Sequence, residues 1–149
     1  MRRAFAVLVA AVSLSGCALP PSESELAAAD YGSYPMNYEE IIRDYMSSRL
    51  KDPFSAQYQF QNSPQRGFYG LGGAQYGFVV CALINAKNSY GGYTGARPAY
   101  FMIRDGAVVN ATIGDGSYGD AMASGKCQKF VGKFGSAPVA RRQKGIFTE

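Results

Sequence analysis

Few residues in this 149-residue chain could do chemistry, and their types exclude more than they admit. There is no histidine, which removes every serine- or cysteine-based dyad that passes its proton to an imidazole. The same absence leaves no imidazole to complete a zinc site built on the cysteines. A carboxylate pair for glycoside hydrolysis would have to come from Glu39, Glu40, Asp44, Asp52, Asp105, Asp115 or Asp120. Each of these falls at an expected helix start, helix surface or turn, where capping and solvation account for it. No catalytic residue, cofactor or metal ligand is assigned, and the chain is not expected to be an enzyme.

Binding is the chemistry that remains, and it concentrates in residues 85–98. Asn85 and Asn88 offer paired donors and acceptors, Lys87 a charge, Tyr90 and Tyr93 flat amphipathic rings, and Arg97 a guanidinium at the end of the loop. Such a surface suits a glycan or a peptide. Asn, Gly and Ser are equally what a sharp loop needs for its own backbone, and tyrosines can cover the end of a sheet. Both readings stay open at this level.

The loop must be held by what flanks it. Before it runs Tyr76 to Ala86, whose core Phe78-Val79-Val80-Cys81-Ala82-Leu83-Ile84 is continuously apolar and rich in β-branched residues, the pattern of a strand buried on both faces. After it, Ala99–Arg104 and Ala107–Ile113 flank Asp105-Gly106, a two-residue turn signal whose central positions both tolerate positive φ, so 99–113 reads as a hairpin. Upstream, Asn37 and Glu40 have capping-box spacing, and Tyr38, Ile41, Ile42, Tyr45 and Arg49, widened by Met46 and Leu50, share a helical face that Asp52-Pro53 stops. Ser55–Phe60 alternates as a strand with one wet face, whereas Gln61–Gln75, with Pro64, Gly67, Gly70, Gly72 and Gly73, reads as a mobile loop or irregular hairpin. Asp115, Ser117 and Asp120 do not meet EF-hand spacing, and Asp120 or Ser117 is expected to cap a second helix. That helix carries Ala123, Cys127, Phe130, Val131 and Phe134 on one face and Lys126, Lys129 and Lys133 on another, with Gly135 ending it.

The two ends of the chain differ from this middle. Arg2 and Arg3 followed by the apolar Ala4–Leu14 form a leader too short for a membrane span, which needs about 20 apolar residues. Residues 18–35, rich in Pro, Ser, Ala and acidic side chains, lack periodicity and read as a tether. Without Arg2 and Arg3 the 15 basic residues become 13, against 11 acidic, a balance that gives nucleic-acid binding no support. After Asp120 the chain carries Lys126, Lys129, Lys133, Arg141, Arg142 and Lys144 against Glu149 alone, so its end is basic.

Leu14-Ser15-Gly16-Cys17 resembles a bacterial lipobox. The resemblance implies a signal peptide over 1–16, cleavage before Cys17 and acylation of that residue, so that a lipid bilayer is the first partner; if the source is a diderm bacterium, Ala18, where an Asp would favour inner-membrane retention, implies an outer-membrane lipoprotein facing the periplasm. Three acyl chains hold far more firmly than one, at roughly 0.8 kcal/mol per buried methylene. With Cys17 lipidated, Cys81 and Cys127 remain as an even pair in an oxidising compartment and are expected to form a disulfide. Residues 81–98, CALINAKNSYGGYTGARP, together with Lys51–Gln57, KDPFSAQ, resemble a motif of small uncharacterised bacterial envelope and phage-associated proteins. That resemblance implies a shared fold and no activity.

The expectation is therefore an α+β domain over 37–137, a small antiparallel sheet of about four strands packed by an N-terminal helix and a shorter C-terminal helix with one disulfide. A lipidated tether (17–36) precedes it and a basic tail (138–149) follows. Its expected role is non-enzymatic, contacting another envelope protein or a cell-wall glycan, peptidoglycan, through the 85–98 loop; the alternative is an accessory or inhibitory factor, a phage-derived one included, acting on a periplasmic or surface enzyme.

Overall fold

A computed structural model of the chain describes residues 20–70 and 74–132. The leader, Cys17, the tail 138–149 and the expected helix positions Lys133, Phe134 and Gly135 lie outside the described residues. The architecture is α+β with an antiparallel sheet at its centre, helices packed on it and a Cys81–Cys127 disulfide.

The apolar run predicted to be a doubly buried strand is β3 (Gln75–Asn85), buried continuously from Gly77 to Ala82. It occupies the middle of the five-stranded sheet. One edge of β3 pairs with β4 (Arg97–Arg104), which pairs onward with β5 (Ala107–Ile113) through the turn at Asp105 and Gly106, both at positive φ (49° and 78°). That turn is the expected hairpin, with one refinement: the register shifts between Met102 and Ile103, so Val109 has no partner of its own and β5 bulges there. Along the other edge of β3, two short strands lie end to end. β1 (Gln57–Phe60) pairs with residues 82–85, and β2 (Gln65–Tyr69) with residues 75–79. Gln65–Tyr69, expected to lie in a mobile loop or irregular hairpin, is thus a regular ladder over five residues, which brings the strand number to five. Gly67 permits it, because a Cβ there would lie 2.6 Å from Val79 Cγ2 and 2.9 Å from the Phe130 ring.

Among the described residues each face of the sheet carries one helix, in keeping with the period-two alternation of β3 and β4. Val80, Ala82, Ile84, Ala99, Phe101 and Ile103 point to the face covered by α2 (Tyr38–Ser47), where Ile42 and Met46 are fully buried. Val79, Cys81, Tyr100 and Met102 point to the other, against Cys127 of α3 (Tyr118–Val131). The C-terminal helix, expected to be the shorter, has 14 residues against 10 in α2, since the capping turn starts it at Tyr118 and Gly125 does not interrupt it. Neither expected side-chain cap is formed. Asn37 and Ser117 occupy the N-cap positions without accepting from their helices, and Asp115 supplies the acceptor for α3, taking hydrogen bonds from the Ser117 and Gly119 amides at 2.9 and 3.1 Å.

Packing also begins before residue 37. Within the expected tether, α1 (Glu23–Ala28) opens on a full capping box at Ser22 and Glu25, Tyr31 is buried edge-on against Tyr76, and Asp30 pairs with Arg104 at 2.6 Å. The break in polarity at Tyr31, Tyr34 and Met36 points to the tether's end lying on the domain surface, while the rest of the segment, without a period, reads as a linker. Among the described residues no helix is long and apolar enough to cross a membrane.

Candidate functional site

The chain leaves β3 at Asn85 and re-enters the sheet at Arg97, and between them it continues the hairpin. Lys87 and Tyr93 form an isolated antiparallel bridge, and the Thr94 amide donates to the Ala86 carbonyl at 3.0 Å. Beyond the bridge, Asn88 organises the tip: its Oδ1 accepts from the Tyr90 and Gly92 amides at 2.9 and 3.1 Å, while its own amide donates to the Gly92 carbonyl at 2.8 Å. This is the Asx chemistry that asparagine brings to turns, and Gly91 at φ 82° supplies the left-handed residue such a tip needs.

Two contacts fasten the hairpin to the 3-10 turn Pro53–Ser55. Lys87 Nζ lies 3.1 Å from Asp52 Oδ2 and 5.6 Å from the centre of the Tyr93 ring, and the Tyr93 hydroxyl donates to the Ser55 carbonyl at 3.1 Å. Hydrogen bonding from Ser55 first, and the Lys87 ammonium second, hold the Asp52 carboxyl below the usual carboxylate range. The turn and the loop therefore act as one surface.

Of the residues expected to bind, the structure brings Lys87, Asn88, Tyr90 and Tyr93 together at this end of the sheet and sets Asn85 and Arg97 at the loop's base. Asn85 Nδ2 donates to Gln57 Oε1 at 3.3 Å, while its Oδ1 is the one buried side-chain atom without a hydrogen-bond partner among the described residues. Arg97 pairs with Asp120 at 3.0 Å and donates to the Thr94 carbonyl at 3.1 Å, joining the loop to the start of α3. Asn88, Lys87 and Tyr93 are engaged by the fold itself. Tyr90 is not: its side chain is 96% exposed. Within the loop's anchoring turn stands a residue that sequence reasoning passes over, Phe54, with no burial at all (101% exposed). Its only signal is an aromatic immediately after the Asp-Pro that stops a helix, which reads as punctuation rather than as surface.

No protein-family model matches the chain, and no curated protein or solved structure is significantly similar to it.

Proposed function

We propose that the chain is a non-enzymatic, lipid-anchored cell-envelope protein whose domain docks another envelope protein through the 85–98 loop and the adjoining Pro53–Ser55 turn. The observation that carries this reading is Tyr90, a large aromatic standing in solvent on a hairpin whose backbone and polar side chains are already bonded internally. Docking such a ring orders little that is not already ordered, and a rigid aromatic with two side-chain torsions is the kind of anchor that dominates interfaces. Phe54 beside the Tyr93 anchor extends the apolar area. The non-enzymatic part is supported by most of the candidate carboxylates, which serve as ion-pair or capping groups: Asp105 with Arg104, Glu39 with Arg43, Asp52 with Lys87, Asp120 with Arg97, and Asp115 at α3. The lipid anchor rests on the Leu14–Cys17 sequence.

Crosslinking pull-down from envelopes tests it. Tyr90→Ser combined with Phe54→Ser should abolish one specific crosslinked protein while the stability of the domain stays within about 0.5 kcal/mol, as for other surface changes. Cys17→Ser should release the chain from the membrane fraction. Retention of the same crosslinked protein by the double variant contradicts the docking surface, and loss of sedimentation with purified peptidoglycan in its place would make the occupant a glycan.

A further inference from the structure

Residues 30–35 are strapped to one end of the sheet, where β3 begins and β4 turns into β5. The Arg104 guanidinium donates to the Asp30 carbonyl at 2.7 Å, pairs with the Asp30 carboxylate at 2.6 Å and reaches the Tyr76 carbonyl at 3.3 Å. Tyr31 is buried edge-on to Tyr76 at 5.6 Å, with the Arg66 guanidinium 5.3 Å from its ring centre. Tyr34 stands edge-on to Phe78 at 5.2 Å, and the Ser33 amide and hydroxyl both donate to Asp105 Oδ1. Gly32, at φ 76°, lets the strap pass so close to the turn that a Cβ there would lie 2.6 Å from the same oxygen. The hold extends back into α1, because the Tyr31 hydroxyl donates to the Leu26 carbonyl at 2.7 Å.

The 85–98 loop lies at the other end. From Tyr76 to Asn85, β3 advances about 30 Å at the rise of a strand, and the antiparallel register sets Ile103 beside Phe78 and Arg97 beside Ile84. Tyr90 and Phe54 stand exposed at this far end, on the loop and on the turn that Lys87 and Tyr93 fasten to it.

Exposed aromatics on a lipid-anchored protein have two kinds of acceptor, a protein surface or the headgroup region of the bilayer, where tyrosine is enriched. Position and charge decide between them. Cys17 lies five residues before Ser22, a span of at most about 18 Å however it runs, so an acyl group on Cys17 would hold the bilayer near the strapped end. Laying the far end down on that bilayer takes free cations to meet anionic headgroups. Those of the loop are already engaged, Lys87 with Asp52 at 3.1 Å and Arg97 with Asp120 at 3.0 Å.

We infer that the strap points the loop away from the bilayer that anchors the chain, so that Tyr90 and Phe54 enter an apolar pocket on a protein segment in the aqueous compartment, about 30 Å or more beyond the strapped end. The inference rests on the lipid-anchored docking protein proposed above and adds where its partner must stand.

Energy transfer tests the direction, using the full chain lipidated and purified from envelopes, in vesicles of phosphatidylethanolamine and phosphatidylglycerol that carry a headgroup-linked acceptor. A donor dye on Ala107→Cys, exposed beside the Asp105-Gly106 turn, should transfer at least about twofold more efficiently than one on Ser89→Cys in the loop, given the strand length between the two ends. A nitroxide-labelled headgroup lipid should leave the Ser89→Cys dye unquenched. Equal transfer from the two sites, or quenching in the loop, overturns the inference. Tyr90→Ser combined with Phe54→Ser should keep the transfer ratio while losing the crosslinked protein. A loop that is unquenched yet crosslinks to no protein contradicts the docking reading, whereas a loop that crosslinks and is quenched contradicts its direction.

Discussion

Asn62 does for the sheet what a peptide bond would do. β1 and β2 share one edge of β3, and between them the ladder is broken opposite residues 80 and 81. There Asn62 Oδ1 accepts from the buried Cys81 amide at 2.8 Å and Asn62 Nδ2 donates to the Val79 carbonyl at 3.0 Å, while the Gln61 amide reaches the Cys81 carbonyl at 2.8 Å. Replacing Asn62 by Ala strands a donor and an acceptor beside the disulfide, each at about 1–3 kcal/mol when unsatisfied. Asn62→Ala is therefore expected to lower stability by about 2 kcal/mol or more in urea titration with an unchanged slope, and a loss below about 0.5 kcal/mol would show that solvent replaces the amide without penalty. Nothing in the sequence marks this asparagine apart from its turn-rich neighbours. A side chain imitating the backbone has no period, and the same holds for Asp115, whose capping role falls outside the spacing that points to Ser117 or Asp120.

Elements with a period were legible, and the ties between them were not. α2, β3 and the β4–β5 hairpin follow from apolar spacing and from Asp105-Gly106, because local sequence alone dictates which face is buried and where φ turns positive. By contrast, the character of the 85–98 loop depends on Asp52 and Ser55, which lie 35 and 38 residues from the groups they meet. Pairing at that range cannot be read from composition, so the loop reads both as a structural turn and as a site. The Asp52 tie also makes the loop acid-sensitive. Since its folded pKa is depressed, its stabilisation is fully present above the unfolded carboxylate value and is lost as pH falls through the folded one, that is, below about pH 4. Amide exchange in residues 87–94 should accelerate in that window, and Asp52→Asn should show the faster exchange already at pH 7 with no further step on acidification. An acid step that persists in Asp52→Asn would assign it to another carboxylate.

The two faces of the molecule are held by different means. On the α2 face, Ile42 and Met46 enter a cluster with Val80, Ala82, Ile84, Ala99, Phe101 and Ile103, and apolar area suffices. On the α3 face the helix buries only Ala123 and Cys127 fully, both small, and Phe130 and Val131 in part, while its lysines lie over rings at the edge. Little apolar area holds α3 down, and the covalent link between Cys81 and Cys127 compensates. The pairing was legible from the cysteine count. Its place at the centre of the weaker face was not, because that depends on how thinly α3 buries itself. For a sequence separation of 46, the chain-entropy model gives about 4 kcal/mol, a large share of the 5–15 kcal/mol typical of a domain. Reduction should therefore act unevenly. Amides of α3 are expected to exchange much faster in the reduced chain while those of α2 and of β4 keep most of their protection. Equal loss of protection over both helices would mean that the sheet cannot stand on its α2 face alone. Unchanged protection of α3 would mean that its modest contacts hold it without the disulfide.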